Sequence, residues 1–96
     1  MNKYFVYILT NKYHNVFYTG FTDDLERRIY EHRNKVHKGF TAKYNVDKLV
    51  YYESFLDKES VMVREKQLKK YKKQWKENLI NELNPNWNDL YNDFLM

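Results

Sequence analysis

The feature that most constrains this chain is a pair of short runs near its start. YFVYIL (Tyr4–Leu9) and VFYTGF (Val16–Phe21) are rich in aromatic and β-branched residues, and the polar stretch TNKYHN separates them. Runs of this composition favour strands, and a short polar break between two of them folds back as a β-hairpin. Whatever follows must build onto that hairpin.

Only two glycines and one proline occur in 96 residues, so no flexible linker, repeat or low-complexity segment divides a chain of single-domain length. Thr22-Asp23-Asp24 supplies capping residues, and Glu26 stands three after Asp23, the spacing of a capping box. A helix over Asp23–Val36 is predicted, ended by His37-Lys38-Gly39. LVYYESF (Leu49–Phe55) reads as a third strand. Asp57 caps a second helix over Lys58–Lys73, which bends into a continuation over Trp75–Glu82 before Pro85 stops it. The order strand, strand, helix, strand, helix, helix fits an α+β fold, a small three-stranded, largely antiparallel sheet flanked by helices. Residues 1–84 are expected to form the domain and residues 85–96 a short acidic C-terminal tail.

The chain has no cysteine, which excludes a disulfide framework and a thiolate zinc site and makes the cytoplasm the expected compartment. The run Tyr4–Leu9 is too short for a secretory or membrane-spanning segment, so no membrane is expected. Charge is unevenly spread. Residues 1–76 hold all seventeen Lys and Arg against nine acids, whereas residues 77–96 hold four acids and no base. A basic body of this kind suits a polyanion, because lysine and arginine near phosphates release condensed counterions. Ten tyrosines, six phenylalanines and two tryptophans supply core volume and rings that can stack on bases.

At about 100° per residue, Leu25, Ile29 and Val36 form one apolar stripe on the first helix. Arg28 and His32 fall on its border, while Arg27, Tyr30, Glu31 and Lys35 lie toward solvent. Border residues can converge with strand side chains in a cleft, or an arginine can simply snorkel and a histidine pack. On the second helix Val61, Leu68, Tyr71 and Trp75 mark the inward stripe. Glu65, the one acid among seven bases in REKQLKKYKKQWK (Arg64–Lys76), lies near Val61. A carboxylate turned toward the core needs a positive partner, and either Arg28 or a divalent cation would serve. The lysines of this segment read as a solvated surface or as phosphate contacts.

FVYIL followed by FYTG resembles the paired signature of the GIY-YIG nuclease family, with Phe5-Val6-Tyr7 in the first triplet and Tyr18-Thr19-Gly20 in the second. Tyr7 and Tyr18 are eleven apart, Arg28 follows Tyr18 by ten, and His32 lies one helical turn later. Glu65 stands on the helix after the third strand, where the family places its metal-binding glutamate. Phe5, Val6 and Thr19 replace the glycine and isoleucines of the pattern, none of which supplies chemistry. The likeness covers residues 3–84 and is greatest to small stand-alone bacterial members, similar to the nuclease half of the excision-repair C subunit.

That resemblance implies a metal-dependent endonuclease hydrolysing phosphodiester bonds of nucleic acid, DNA foremost, in repair or processing. It implies catalytic roles for Tyr7, Tyr18, Arg28 and His32, with Tyr18 as general base or water-orienting group and Tyr7 assisting it. Arg28 would bind the phosphate, His32 would assist proton transfer, and Glu65 would hold one Mg²⁺ or Mn²⁺ ion. Gly20 would allow a tight turn between strand and helix. Lys69, Lys70, Lys72 and Lys73 would meet nucleic acid. The family's late asparagine falls on Asn78, Asn81 or Asn84, and spacing does not choose among them. No added DNA-binding domain is evident, so a protein partner that supplies specificity is expected. The alternatives are a nucleic-acid-binding module of the same fold that does not cut, and a protein-interaction domain whose basic face meets an acidic partner.

Overall fold

The computed structural model describes residues 3–94. The hairpin and the third strand form one antiparallel sheet, with β1 (Tyr4–Thr10) between β2 (Phe17–Thr22) and β3 (Lys48–Phe55). Helices α1 (Leu25–Arg33) and α2 (Phe40–Lys43) intervene before β3, and α3 (Lys58–Lys69) and α4 (Lys73–Leu83) follow it. A 3₁₀ turn over Leu90–Phe94 closes the described chain. The α+β architecture expected from the order of elements is therefore the one found.

Because side chains alternate along a strand, the register divides the sheet into two faces. Tyr7 stands opposite Gly20 and Leu9 opposite Tyr18. Tyr7 and Leu9 pack with Leu25 and Ile29 of α1, with Val46 and Leu49, and with Tyr91 of the closing turn. On the other face Val6 meets Val61 and Leu68 of α3, and Ile8 meets Ile80 of α4. Burying one such aliphatic side chain contributes about 1.5–3 kcal/mol, against about 0–1 for an exposed ion pair, so these two apolar layers hold the fold.

Several boundaries differ from the sequence reading. The N-cap of α1 is Asp24, whose side chain accepts from the Arg27 N–H at 3.2 Å, so Asp23 and Glu26 form no capping box. The helix ends at Arg33 because Lys35 turns left-handed (φ 51°) and the Val36 N–H donates to the Glu31 carbonyl at 3.0 Å. Val36 is thereby left exposed instead of extending the apolar stripe. The second predicted helix breaks earlier than expected, at Lys70–Lys72, where Lys72 is extended (ψ 155°). The break lets Leu68 and Ile80 both reach the sheet, and it leaves Trp75 half exposed rather than inward. Helix α2 has no counterpart in the sequence reading, since it is four residues long and its N-cap, Gly39, makes no side-chain capping bond.

The described part of the acidic segment lies against the core. Asn84 is buried, and its amide donates to the carbonyls of Val50 (3.1 Å) and Asn88 (2.8 Å). Asp89 pairs with Arg33, whose guanidinium lies over the ring of the buried Tyr91. Among the described residues no helix is long and apolar enough to cross a membrane.

Candidate active site

Tyr7 sits mid-strand at the centre of the sheet, between Tyr52 of β3 and Gly20 of β2, and the partner on β2 has no side chain. A Cβ placed on Gly20 would stand 2.7 Å from the Tyr7 hydroxyl oxygen, 2.9 Å from its Cζ and 3.1 Å from Cε2 of Tyr18. Gly20 is the space that admits the phenol, a close approach of the kind that places glycine inside strands. This corrects the expected turn: Gly20 lies within β2, and Gly39 is the glycine with positive φ among the described residues.

Through that space the Tyr7 hydroxyl reaches 3.3 Å from Nε2 of His32, and Nδ1 of the same ring lies 3.1 Å from Oγ1 of Thr41 on α2. The three rings cluster, with centroids 6.3 Å apart for Tyr7 and Tyr18, 6.1 Å for Tyr7 and His32, and 5.5 Å for Tyr18 and His32. Two strands and α1 thus bring together residues that are far apart in sequence.

The electrostatics fix who holds the protons. Burial pushes the Tyr7 phenol far above its ordinary value; Tyr18 adds to the shift, Arg28 opposes it, and Glu65 and Glu31 add again. Burial pushes His32 below the usual imidazole value, helped by Arg28 and His37 and opposed by Glu31 and Asp47. At neutral pH Tyr7 is therefore a phenol and His32 a neutral ring. A phenol O–H donating to Nε2 leaves the ring proton on Nδ1, where it donates to Thr41.

Arg28 is 43% exposed at its side chain, and the one ionic contact it makes among the described residues is with Glu31, at 3.8 Å, beyond hydrogen-bonding distance. It borders two clefts of about 320 Å³ each, one shared with Asp24 and His37, the other with Tyr4 and Lys58. Tyr7, Tyr18, His32 and Glu65 line neither, so Arg28 is the cluster's contact with those openings. Glu65 on α3 is 16% exposed at its side chain and pairs with Lys69 at 3.1 Å, not with Arg28. Of the two partners open to Glu65, Arg28 is not the one found: each residue meets a neighbour on its own helix, because residues three and four apart meet without any tertiary constraint. Glu65 is nonetheless close enough to act on Tyr7. Lys69, Lys70, Lys72 and Lys73 are all exposed around the α3–α4 break, Lys69 held by Glu65 and Lys72 over the Trp75 ring.

Two neighbours of this cluster were not singled out in the sequence. Glu31 falls on the solvent side of a helical wheel, yet its side chain is 15% exposed among Arg27, Arg28 and His37. Its position three after Arg28 was the available signal. Thr41 carried none, since its place depends on α2. The three asparagines also separate: Asn78 accepts from Gln74, Asn81 from Trp87, and Asn84 braces β3 from within the core.

Residues 3–78 match the family model described as the GIY-YIG catalytic domain. The chain belongs to the GIY-YIG family. Its relatives include UPF0213 proteins of Staphylococcus saprophyticus, 35% identical over 82 residues, and Staphylococcus haemolyticus, 38% identical over 86, each alignment covering 85% of this chain and 99% of the relative. The solution NMR structure of a UPF0213 protein from Bacillus halodurans is 31% identical and superimposes with a TM-score of 0.57 over 93% of both chains. The family is one of nucleases, and the names of these relatives state no activity. In this GIY-YIG chain Thr19, in the second triplet, is buried, and its hydroxyl has no hydrogen-bond partner among the described residues. It stands opposite Ile8, on the face of the sheet away from Tyr7 and Tyr18.

Proposed function

We propose that the protein is a metal-dependent endonuclease that hydrolyses phosphodiester bonds of nucleic acid, DNA foremost. The observation that carries this reading is the hydrogen-bonded line Tyr7–His32–Thr41, held beside Tyr18 and the loosely paired Arg28. Tyr7 cannot serve as a free phenolate, because burial keeps it protonated. It takes part as a phenol, receiving a proton from water as it passes its own to the neutral His32. Tyr18 orients that water. Arg28, free of any tight partner, binds the scissile phosphate and stabilises the charge that develops in the transition state.

A divalent ion, Mg²⁺ or Mn²⁺, fits the donor set at Glu65. Among the described residues no three His, Cys, Asp or Glu side chains are grouped for a metal, which does not suit a closed zinc-type site. One shielded carboxylate that already holds a cation, the Lys69 ammonium, suits a hard ion that keeps most of its water and takes oxygens from substrate. When bound, such an ion supplies Lewis-acid stabilisation at the leaving oxygen. Lys69, Lys70, Lys72 and Lys73 give salt-sensitive, sequence-independent binding to phosphates. The reading extends to a cytoplasmic enzyme of DNA repair or processing, with a partner protein that directs it.

The second reading, a module that binds without cutting, is favoured by the same Lys69 contact, in which the chain's own cation occupies Glu65. Labelled single-stranded, duplex and branched substrates, incubated with and without Mg²⁺ or Mn²⁺, separate the two. The nuclease cuts only with metal present. Salt-dependent binding with no product under any condition establishes the module.

A further inference from the structure

Beyond His32, α2 leads away from the catalytic cluster onto a surface that the nuclease reading does not use. Phe40 and Tyr44 on either side of Thr41 are 48% and 44% exposed, with ring centroids 5.1 Å apart. Tyr13 in the hairpin loop is 71% exposed, and it lines one cleft of about 290 Å³ together with Tyr44, Lys12 and Asp47. Single exposed rings are ordinary, but three gathered in one place are not. Each tyrosine carries a lysine, with Lys12 Nζ 5.1 Å from the Tyr13 ring centre and Lys43 Nζ 5.3 Å from that of Tyr44. Each ammonium lies over its ring while the tyrosine stays exposed to solvent.

This surface is continuous with the site. Thr41, between Phe40 and Tyr44 in the chain, bonds Nδ1 of His32, and Asp47 in the cleft is near enough to act on the same ring. Exposed aromatic rings interleaved with cations on flexible stems match a strand of unpaired nucleotides, whose bases offer flat faces and whose phosphates offer charge. A duplex does not match, since its base faces are already stacked on one another. A purely apolar peptide would leave the lysines without partners.

We propose that Tyr13, Phe40 and Tyr44 stack unpaired bases while Lys12 and Lys43 meet the adjoining phosphates, so that the substrate carries a single-stranded segment beside the bond to be cut. The proposal rests on the nucleic-acid reading of the preceding section. It is tested by fluorescence anisotropy in EDTA, with a labelled dT oligonucleotide and a labelled duplex, so that no cleavage is needed. The double variant Tyr13→Leu/Tyr44→Leu keeps apolar bulk and removes the rings. It is expected to lose about tenfold or more in affinity for the oligonucleotide and about twofold or less for the duplex. Tyr13→Phe/Tyr44→Phe, which keeps the rings, should bind the oligonucleotide like the parent. Equal losses on both ligands, no loss on either, or a parent that does not bind the oligonucleotide each overturn the proposal. The selective loss in the double variant, together with a parent that never cuts with Mg²⁺ or Mn²⁺, refutes catalysis and leaves the stacking surface standing.

Discussion

The two faces of the sheet are built from the same residue types and do different things with them. On the α3 face, Arg64 donates through Nε to both oxygens of Glu53, at 3.2 and 3.0 Å, and through a terminal nitrogen at 3.0 Å, while the Tyr51 hydroxyl donates to the same carboxylate. Both charges of that set are answered. Burial and Glu53 push the Tyr51 phenol well above its usual value, and Glu53 holds Arg64 firmly charged. On the α1 face Tyr7 is likewise buried and protonated, but its hydroxyl meets a neutral imidazole, and Arg28 has only a contact at 3.8 Å. A saturated Tyr–Arg–Glu set is a brace, because breaking it strands a charge. An open set of the same groups keeps its guanidinium available to an incoming phosphate.

The largest expected effect breaks that comparison at its carboxylates. Glu65→Gln should lower cleavage by about 10²–10³ with little change in melting temperature, and metal-free binding of nucleic acid should be as tight as the parent's or tighter. Glu53→Ala should leave Arg64 unpaired and cost about 1.5–3 kcal/mol, lowering the melting temperature by about 4–8 °C for each kcal/mol. Calorimetry and single-turnover cleavage read both. If Glu65→Gln melts as low as Glu53→Ala, both carboxylates are braces.

Gly20→Ala tests space rather than charge. Its Cβ would stand 2.7 Å from the Tyr7 oxygen, so the ring must move away from His32 or the strands must part, at about 1–3 kcal/mol. Cleavage should fall with it, and unchanged activity and stability would remove the close approach from the account. A smaller effect is expected at Thr41. Thr41→Val leaves the Nδ1 proton of His32 without its acceptor and should slow cleavage about two- to tenfold, with Thr41→Ser restoring it. A Ser variant as slow as Val would mean that the hydroxyl does not position the ring.

The smallest effect is on pH dependence. His32 has a lower pKa folded than its ordinary 6.5, so the unfolded chain binds more protons below that value. The stability this contributes is complete above about pH 6.5 and is lost as pH falls through the depressed folded value. His14 is shifted the same way, by burial and Lys48. His32→Asn should therefore reduce, without removing, the fall in melting temperature on acidification, and a fall as steep as the parent's would contradict the shift.

What was legible in the sequence divides along the same line. The convergence of Tyr7, Tyr18 and His32 was implied by the resemblance to the GIY-YIG pattern, and the strands followed from runs that local physics respects. The roles of Gly20 and Glu65 did not. Gly20 reads as a turn residue until the register sets it opposite Tyr7, and the partner of Glu65 depends on which lysine its own helix brings within reach. Phe40 and Thr41 lie on a helix of four residues that Tyr44 caps, too short to leave a periodic pattern. Tyr91 and Asp89 sit in a segment whose acidic composition suggested a tail, although one is buried and the other pairs with Arg33.

The contrast between an open and a closed arginine is tested most directly by comparing Arg28→Ala with Arg64→Ala, each assayed for metal-dependent cleavage and for melting temperature. The expected result is a crossed pair. Arg28→Ala stays folded near the parent's melting temperature and loses about 10²–10³ in rate, while Arg64→Ala melts about 4–8 °C lower per kcal/mol lost and, below its transition, cuts at a rate close to the parent's. An Arg28→Ala protein that cuts as the parent does, or that loses stability as Arg64→Ala does, would contradict the account.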